Sequence, residues 1–245
     1  MELVIEKSVV VITPSIATGK VYDCMDSVSK QTYGNLRHLV VLDGKDKKLD
    51  HFWYPTMEYV TLSQNTGSKG FYGHRIYAAF PHLVNQDYIA FLDEDNWYEP
   101  NHIETLVKTI ESEPDLDFVY SLRNIYIDDK FSSKDSCESL GKWPIWFTVN
   151  TNKEQYLVDT SCYLFKREFI EKESYNFHFG WGGDRNFLNS IRYKAKYKTS
   201  GLYTMNYNLN SEKMIKNYGG MDFFKIGNNS YKEYYKGNLP WEIKK

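Results

Sequence analysis

Three runs of almost purely apolar residues and a fourth, shorter β-type run, separated by stretches of helical periodicity, constrain this chain more than any other feature. Ser8 to Thr13 (SVVVIT), Leu36 to Leu42 (LRHLVVL) and Tyr88 to Leu92 (YIAFL) are rich in β-branched and large apolar side chains. Such continuous runs suit strands buried on both faces, as in parallel sheets. Glu58 to Leu62 (EYVTL) adds a further strand. Between them, Lys20 to Lys30 places Val21, Cys24, Met25 and Val28 at helical spacing, and Phe71 to Leu83 reads as a second helix. Asn101 to Ser112 carries the stripe Ile103, Leu106, Val107 and Ile110, with Pro100 at its start. Strand and helix in alternation predict an α/β fold, a mostly parallel sheet flanked by helices. In such sheets ligands bind at the carboxyl ends of the strands. Asp43 and Asp93 stand at two of those ends.

The second half is less regular. Asp117 to Asp128 reads as one or two strands, Asp129 to Gly141 as a polar loop, and Trp143 to Val149 and Thr160 to Phe165 as further strands. Asp184 to Lys194 predicts a helix with Phe187, Leu188 and Ile191 on one side, and Leu202 to Tyr207 a last strand. From Gly219 onward the Tyr-, Lys- and Asn-rich tail shows no usable pattern.

Composition narrows the partners. Lys and Arg number 30 against 32 Asp and Glu in 245 residues, so the net charge is −2 and no global basic field exists for a nucleic acid. Cys24, Cys137 and Cys162 lack any CxxC spacing, which predicts free thiols in a reducing compartment. The apolar stretch Val9 to Ile12 is too short for a signal segment, and no run approaches the roughly 18 apolar residues of a spanning helix. The expectation is a soluble, cytoplasmic chain without a transmembrane segment, peripheral membrane contact staying open. The 21 Tyr, 14 Phe and 6 Trp either pack in the core or stack on planar and sugar ligands.

The most chemically pointed segment is Phe91-Leu92-Asp93-Glu94-Asp95-Asn96-Trp97. Three acids crowd the end of a buried strand, where they repel and are expensive to desolvate. A hard divalent cation, Mg²⁺ or Mn²⁺, relieves both costs, and such ions commonly take one or two carboxylates plus substrate phosphates. The alternative is an acidic turn leading into a cap made by Asn96 or Glu99.

VVVITPSIAT at residues 9–18, LVVLDG at 39–44, IAFLDEDNWYEPNHIETLV at 89–107 and GWGGDRNFLNSIR at 180–192 follow in that order. Together they resemble a family 2 glycosyltransferase of the GT-A fold, over about residues 9–192. The resemblance implies one domain over 1–245, with a nucleotide-sugar-binding half at about 1–115 and an irregular acceptor-side half at about 116–245. It implies inverting transfer of a sugar from a nucleotide-sugar, UDP- or dTDP-linked, to a hydroxyl of a glycan or other acceptor. Thr13 and Pro14 would line the nucleotide pocket and Asp43 would read base or ribose. Asp93 and Asp95 would hold the metal at the donor phosphates, with Glu94 also on the donor side. Asp184 would be the base that deprotonates the acceptor hydroxyl. Two departures stand out: no His follows His178 to complete a metal site, and Gly183 stands where the family often has Glu.

Other candidates surround these. Gly67, Gly70 and Gly73 recur every third residue in NTGSKGFYGHR, matching neither a P-loop nor a GxGxxG turn. The run either lets backbone approach a ligand, with Lys69 and Arg75 as donor contacts, or is a plain flexible loop. Trp181 either stacks on the acceptor sugar or packs, and His178 is either an acceptor-side group or a structural His. Asp159 either faces the acceptor or serves a turn, and Asp184 has a helix N-cap as its rival role. Two different functions stay in view: a sugar-phosphate nucleotidyltransferase, although residues 14–19 lack the arginine-bearing loop of those enzymes, and a non-catalytic glycan-binding protein.

Overall fold

The computed structural model describes residues 6–49, 54–144, 154–212, 223–239 and 241, without the side chains of 142–144, 154 and 155. Strands β1 (Val9–Ser15), β2 (Leu36–Leu42), β3 (Met57–Thr61) and β4 (Tyr88–Phe91) form a parallel set in the order β3-β2-β1-β4. All seven residues of β1 and all four of β4 are buried, as their unbroken apolar runs require. Ile12 of β1 pairs with Leu39 on one side and Phe91 on the other, so β2 and β4 end on the same edge of the sheet, next to Asp43 and Asp93. Helices α1 (Val21–Ser29), α2 (His74–Ala79) and α3 (His102–Glu111) pack on this sheet. The buried faces of α1 and α3 contain the eight apolar residues read from the sequence.

Beyond β4 the sheet becomes mixed. The short β5 (Trp97–Tyr98) follows the acid turn, then β6 (Phe118–Ile127), β7 (Lys130–Lys134), β8 (Gly141–Pro144), β9 (Glu154–Leu157) and β10 (Tyr163–Lys166). Next come α4 (Arg167–Glu173), α5 (Gly183–Ile191), β11 (Tyr197–Leu209) and α6 (Phe223–Tyr234). The sheet continues β4-β10-β6-β11-β5, with β7 on β6, while β8 and β9 form a separate ribbon. Strand β10 inserts antiparallel to both β4 and β6, whereas β6 and β11 run parallel. Strand direction is a property of the connections, and the apolar run that makes β10 a buried strand carries no information about it.

Three local expectations need correcting. The stretch read as a polar loop, 129–141, contains β7, the return strand of a hairpin whose turn has Asp128 and Asp129 at positive φ. Of the helix read over 71–83 only α2 is α-helical: Tyr72 adopts left-handed backbone before it, and Pro81 lies in the 3-10 turn (Phe80–Leu83) that follows it. Helix α4 carries no long apolar stripe and was not foreseen. Of the strand read over 143–149, residues 145–149 lie outside the described residues, as do 219–222 of the tail. Most of the aromatic surplus serves the core: Phe177 stacks on Phe187 at 3.8 Å, and Phe91 stands edge-on to Phe177 at 5.6 Å.

Candidate functional site

The acid turn sits where the pattern placed it, at the carboxyl end of β4. The turn is closed by the Asn96 N–H donating to the Asp93 carbonyl at 3.1 Å. Asn96 is itself buried, and its side-chain oxygen accepts the Asn208 N–H of β11 at 3.0 Å. Asp93 is half-buried; Asp95 is exposed. The Asp93 carboxylate accepts a hydrogen bond from the Tyr77 hydroxyl of α2, and its backbone N–H donates to Ser161 Oγ at 3.1 Å. Burial, then the charges of Asp159 and Asp95, and lastly that of Asp184, push the Asp93 carboxyl up to about 8, with Tyr77 opposing. An acid this high is a site of uncompensated negative potential.

Asp184 lies in the first turn of α5, half-buried. Its carboxylate accepts the Arg185 backbone N–H at 2.7 Å. Burial and the Asp159 charge raise it; the Arg185 amide, His74 and the Arg185 side chain pull it back. Asp93 and Asp184, 91 positions apart in sequence, are both raised by the charge of Asp159, and Asp184 adds the smallest of the effects on Asp93. The loop leading into α5 lies on the glycine-bearing loop before α2: the His178 ring stacks on Phe71 at 5.5 Å, and a side chain at Gly180 would meet the Gly70 carbonyl at 3.4 Å. Trp181 is 77% exposed at this rim, with exposed Tyr72, His178 and Phe179 in the same two loops.

The remaining candidates divide. Asp43 is buried at the end of β2, and its two carboxylate oxygens accept the N–H groups of Thr66 and Gly67 at 2.6 and 2.8 Å, so it braces the glycine-bearing loop. Glu94 accepts Ser15 Oγ–H at 2.6 Å and the Thr18 N–H at 3.3 Å, tying the turn after β1 to the acid turn. Pro14 packs where a Cβ on Gly73 would lie, 2.9 Å from that position. Arg75 folds back on its own loop, donating to the Thr66 carbonyl at 3.1 Å and lying 3.6 Å over the Phe71 ring, while Lys69 is exposed. Thr13 is fully buried, and its hydroxyl pairs with His38 Nε2 at 2.8 Å inside the core, so its side chain does not line a cleft. Asp159 takes the turn role: it caps the 3-10 turn Thr160–Cys162 through the Ser161 N–H at 2.9 Å and accepts Arg123 Nη1 at 2.6 Å. Its carboxylate is engaged on both oxygens.

Tyr77, His74, Ser161 and Arg123 belong to the surroundings of the acids and were missed. Arg123 had a signal, a lone cation in the apolar strand FVYSLRNIYI, which must find buried acids. Tyr77, His74 and Ser161 had none, since their partners lie in other segments.

Among the described residues, no three or more His, Cys, Asp and Glu side chains are grouped as a protein-made metal cage. Asp93 and Asp95 are nonetheless the donor set Mg²⁺ accepts, a pair of carboxylates to be completed by water and phosphate oxygens. Their oxygen donors, two positions apart at the carboxyl end of β4, are the chemistry that fits such a cation.

The sequence profile of glycosyl transferase family 2 matches residues 10–173. The chain belongs to this family. The matched span contains Asp43, Asp93, Glu94, Asp95 and Asp159 and ends before His178, Trp181 and Asp184. The glucosyl-dolichyl phosphate glucuronosyltransferase of Haloferax volcanii is 34% identical over 111 residues, 44% of this chain and 35% of its own. Glycosyltransferase GlyA of Streptococcus pneumoniae is 32% identical over 100 residues, 36% of this chain and 12% of its own. The chain thus corresponds to about a third or less of these relatives' lengths. Residues 1–349 of S. aureus TarS, solved in complex with UDP, superpose with a TM-score of 0.59 at 12% identity, covering 85% of this chain and 62% of that one. The TarS complex with UDP-GlcNAc gives 0.57, covering 82% and 58%. The fold is GT-A. Among the described residues no helix is long and apolar enough to cross a membrane.

Proposed function

We propose that this chain transfers a sugar, with inversion, from a nucleoside-diphosphate sugar to a hydroxyl of a glycan or other acceptor. The observation that carries the reading is that α2 ties together the segments bearing two acids, Asp93 at the end of β4 through Tyr77 and the loop leading to Asp184 of α5 through His74. Family membership favours this over a nucleotidyltransferase or a glycan-binding module. A UDP-linked donor is the first choice, since TarS, of the same fold, is solved with UDP and UDP-GlcNAc.

The residues divide the work. Asp93 and Asp95 would hold Mg²⁺ or Mn²⁺, which when bound supplies positive charge to a departing diphosphate. Tyr77 and Ser161 fix the Asp93 carboxylate and backbone, so the acid turn is set before a donor arrives. Asp43 and Glu94 shape the donor side by bracing the loops after β2 and β1. Asp184, raised above the ordinary carboxylate range, is suited to take the proton from an acceptor hydroxyl as it attacks the anomeric carbon. Trp181 and His178 at the exposed rim would meet the acceptor, Trp181 by stacking on the apolar face of a sugar.

Thermal melting tests this. UDP with Mn²⁺ is expected to raise the melting temperature of the wild type by several degrees at saturation, about 2.7 kcal/mol at a hundredfold excess over Kd. The gain should grow as pH rises through about 8, because the cation displaces a proton from Asp93. Asp93→Asn should lose it. If UDP, GDP and dTDP with either metal all leave the melting temperature unmoved, the proposal fails.

A further inference from the structure

The two glycines that open α5 are there for different reasons, and the second points to an unassigned residue. Gly182 has φ +82° with open space around its Cβ position, so it is glycine for its backbone. Gly183 is not in the left-handed region. A Cβ there would lie 2.5 Å from His74 Nδ1, 2.7 Å from Cε1 and 2.9 Å from Cγ. Gly183 is therefore glycine because the His74 imidazole fills the place of its side chain.

His74 is the first residue of α2. Its Nδ1 lies 2.9 Å from the Phe179 carbonyl oxygen. A carbonyl only accepts, so Nδ1 carries the proton and donates. The ring thus holds the loop entering α5 by a hydrogen bond at Phe179 and by contact at Gly183, the residue before Asp184. Tyr77 stands three residues further along α2, on the same face, and its hydroxyl holds Asp93. One turn of one helix grips both acids of the site: the donor-side acid directly, and the proposed base through the backbone that carries it. The underside of α2 is fixed as well, with Ser174 Oγ donating to the Ala78 carbonyl at 2.8 Å.

We infer that His74 is a positioning residue for the transfer reaction, setting Asp184 relative to Asp93 through α2 and the glycine at 183. Transfer in line demands donor phosphates and base on opposite sides of the reacting carbon, and a misplacement of about 1 Å costs on the order of a hundredfold in rate. His74 needs no contact with substrate for this role. The inference rests on Asp184 being the base, and its test separates the two ideas.

His74→Ala, His74→Asn, Gly183→Ala and the double variant His74→Ala/Gly183→Ala are compared with the wild type. Asn places an amide nitrogen near Nδ1 and keeps the bond to Phe179. The expected result is a fall in kcat of tenfold or more for His74→Ala with donor KM within about twofold, and recovery to within about threefold for His74→Asn. Gly183→Ala should lower the melting temperature in the wild-type background and much less beside His74→Ala, a coupling that is read without any activity. His74→Ala at the parental kcat, or His74→Asn as slow as His74→Ala, overturns the positioning role. Equal destabilisation by Gly183→Ala in both backgrounds overturns the contact itself. Should Asp184→Asn transfer sugar at the parental rate, the base assignment falls instead, whatever the melting cycle shows.

Discussion

A neutral pair in the β1–β4 half of the large sheet and a buried cation in the β6–β11 half bury polarity in opposite ways. In the β1–β4 half, which also buries the Asp43 carboxylate, the Thr13 hydroxyl pairs with His38. A second neutral pair, His102 Nδ1 of α3 with Thr204 of β11 at 2.9 Å, lies against the other half. Burial pushes both imidazoles down from 6.5 to about 3, so they sit uncharged in the core. In the β6–β11 half a buried cation stands among neutral groups such as the Asn124–Asn206 pair. Arg123, 3% exposed, reaches Asp135 through Nε at 2.7 Å, Glu138 through Nη2 at 2.7 Å and Asp159 through Nη1 at 2.6 Å. Its guanidinium also lies 4.3 Å over the Tyr207 ring. Glu138 continues the network to Arg185 of α5 at 3.4 Å. The difference teaches how each half is specified. A neutral pair asks for two well-placed side chains; a buried charge asks for every one of its partners, so the segments bearing Asp135, Glu138 and Asp159 converge on one cation.

The largest way to sharpen that contrast is to remove the cation. Arg123→Met should cost about 3–5 kcal/mol, because three acids lose their shared partner in a buried place. Urea unfolding of the wild type and the variant reads this directly, and a loss under about 1 kcal/mol would mean the network is no more than a solvated ion pair. A smaller effect probes the neutral pair by pH. His38 has its folded value depressed, so its contribution is whole above about 6.5 and is lost as pH falls toward 3. The stability difference between wild type and His38→Gln should shrink by about 1.4 kcal/mol per pH unit below 6.5. Comparing the two proteins cancels the other acids that titrate in that range. A difference that does not change between pH 6.5 and 5 would show that His38 is not held neutral.

The same contrast explains what the sequence could disclose. β1 and β4 were legible because burial on both faces writes itself as an apolar run, β2 because its run is broken only at Arg37 and His38, and Asp43 and Asp93 because they end two of these runs. Asp184 came from the resemblance of its segment. The antiparallel direction of β10 was not legible, since periodicity is blind to direction. Nor were the partners of Arg123, which lie 12, 15 and 36 residues away, or the Glu138–Arg185 contact across 47. Thr13 was implicated by the resemblance and Asp159 stood open between acceptor and turn, and the side chains of both meet partners brought by other segments. Gly183 was visible as a departure from the usual Glu, but its cause, the His74 ring, is a contact across 109 positions.

The claim on which the account depends is that Asp184 supplies base catalysis at a site whose donor side is built separately by Asp93 and its neighbours. Single-turnover transfer by Asp184→Asn, measured beside its melting shift with UDP and Mn²⁺, tests it most directly. The account predicts a transfer rate reduced by about 10²–10⁴-fold with the shift intact. Transfer at the wild-type rate, or loss of the nucleotide shift along with the activity, would contradict it.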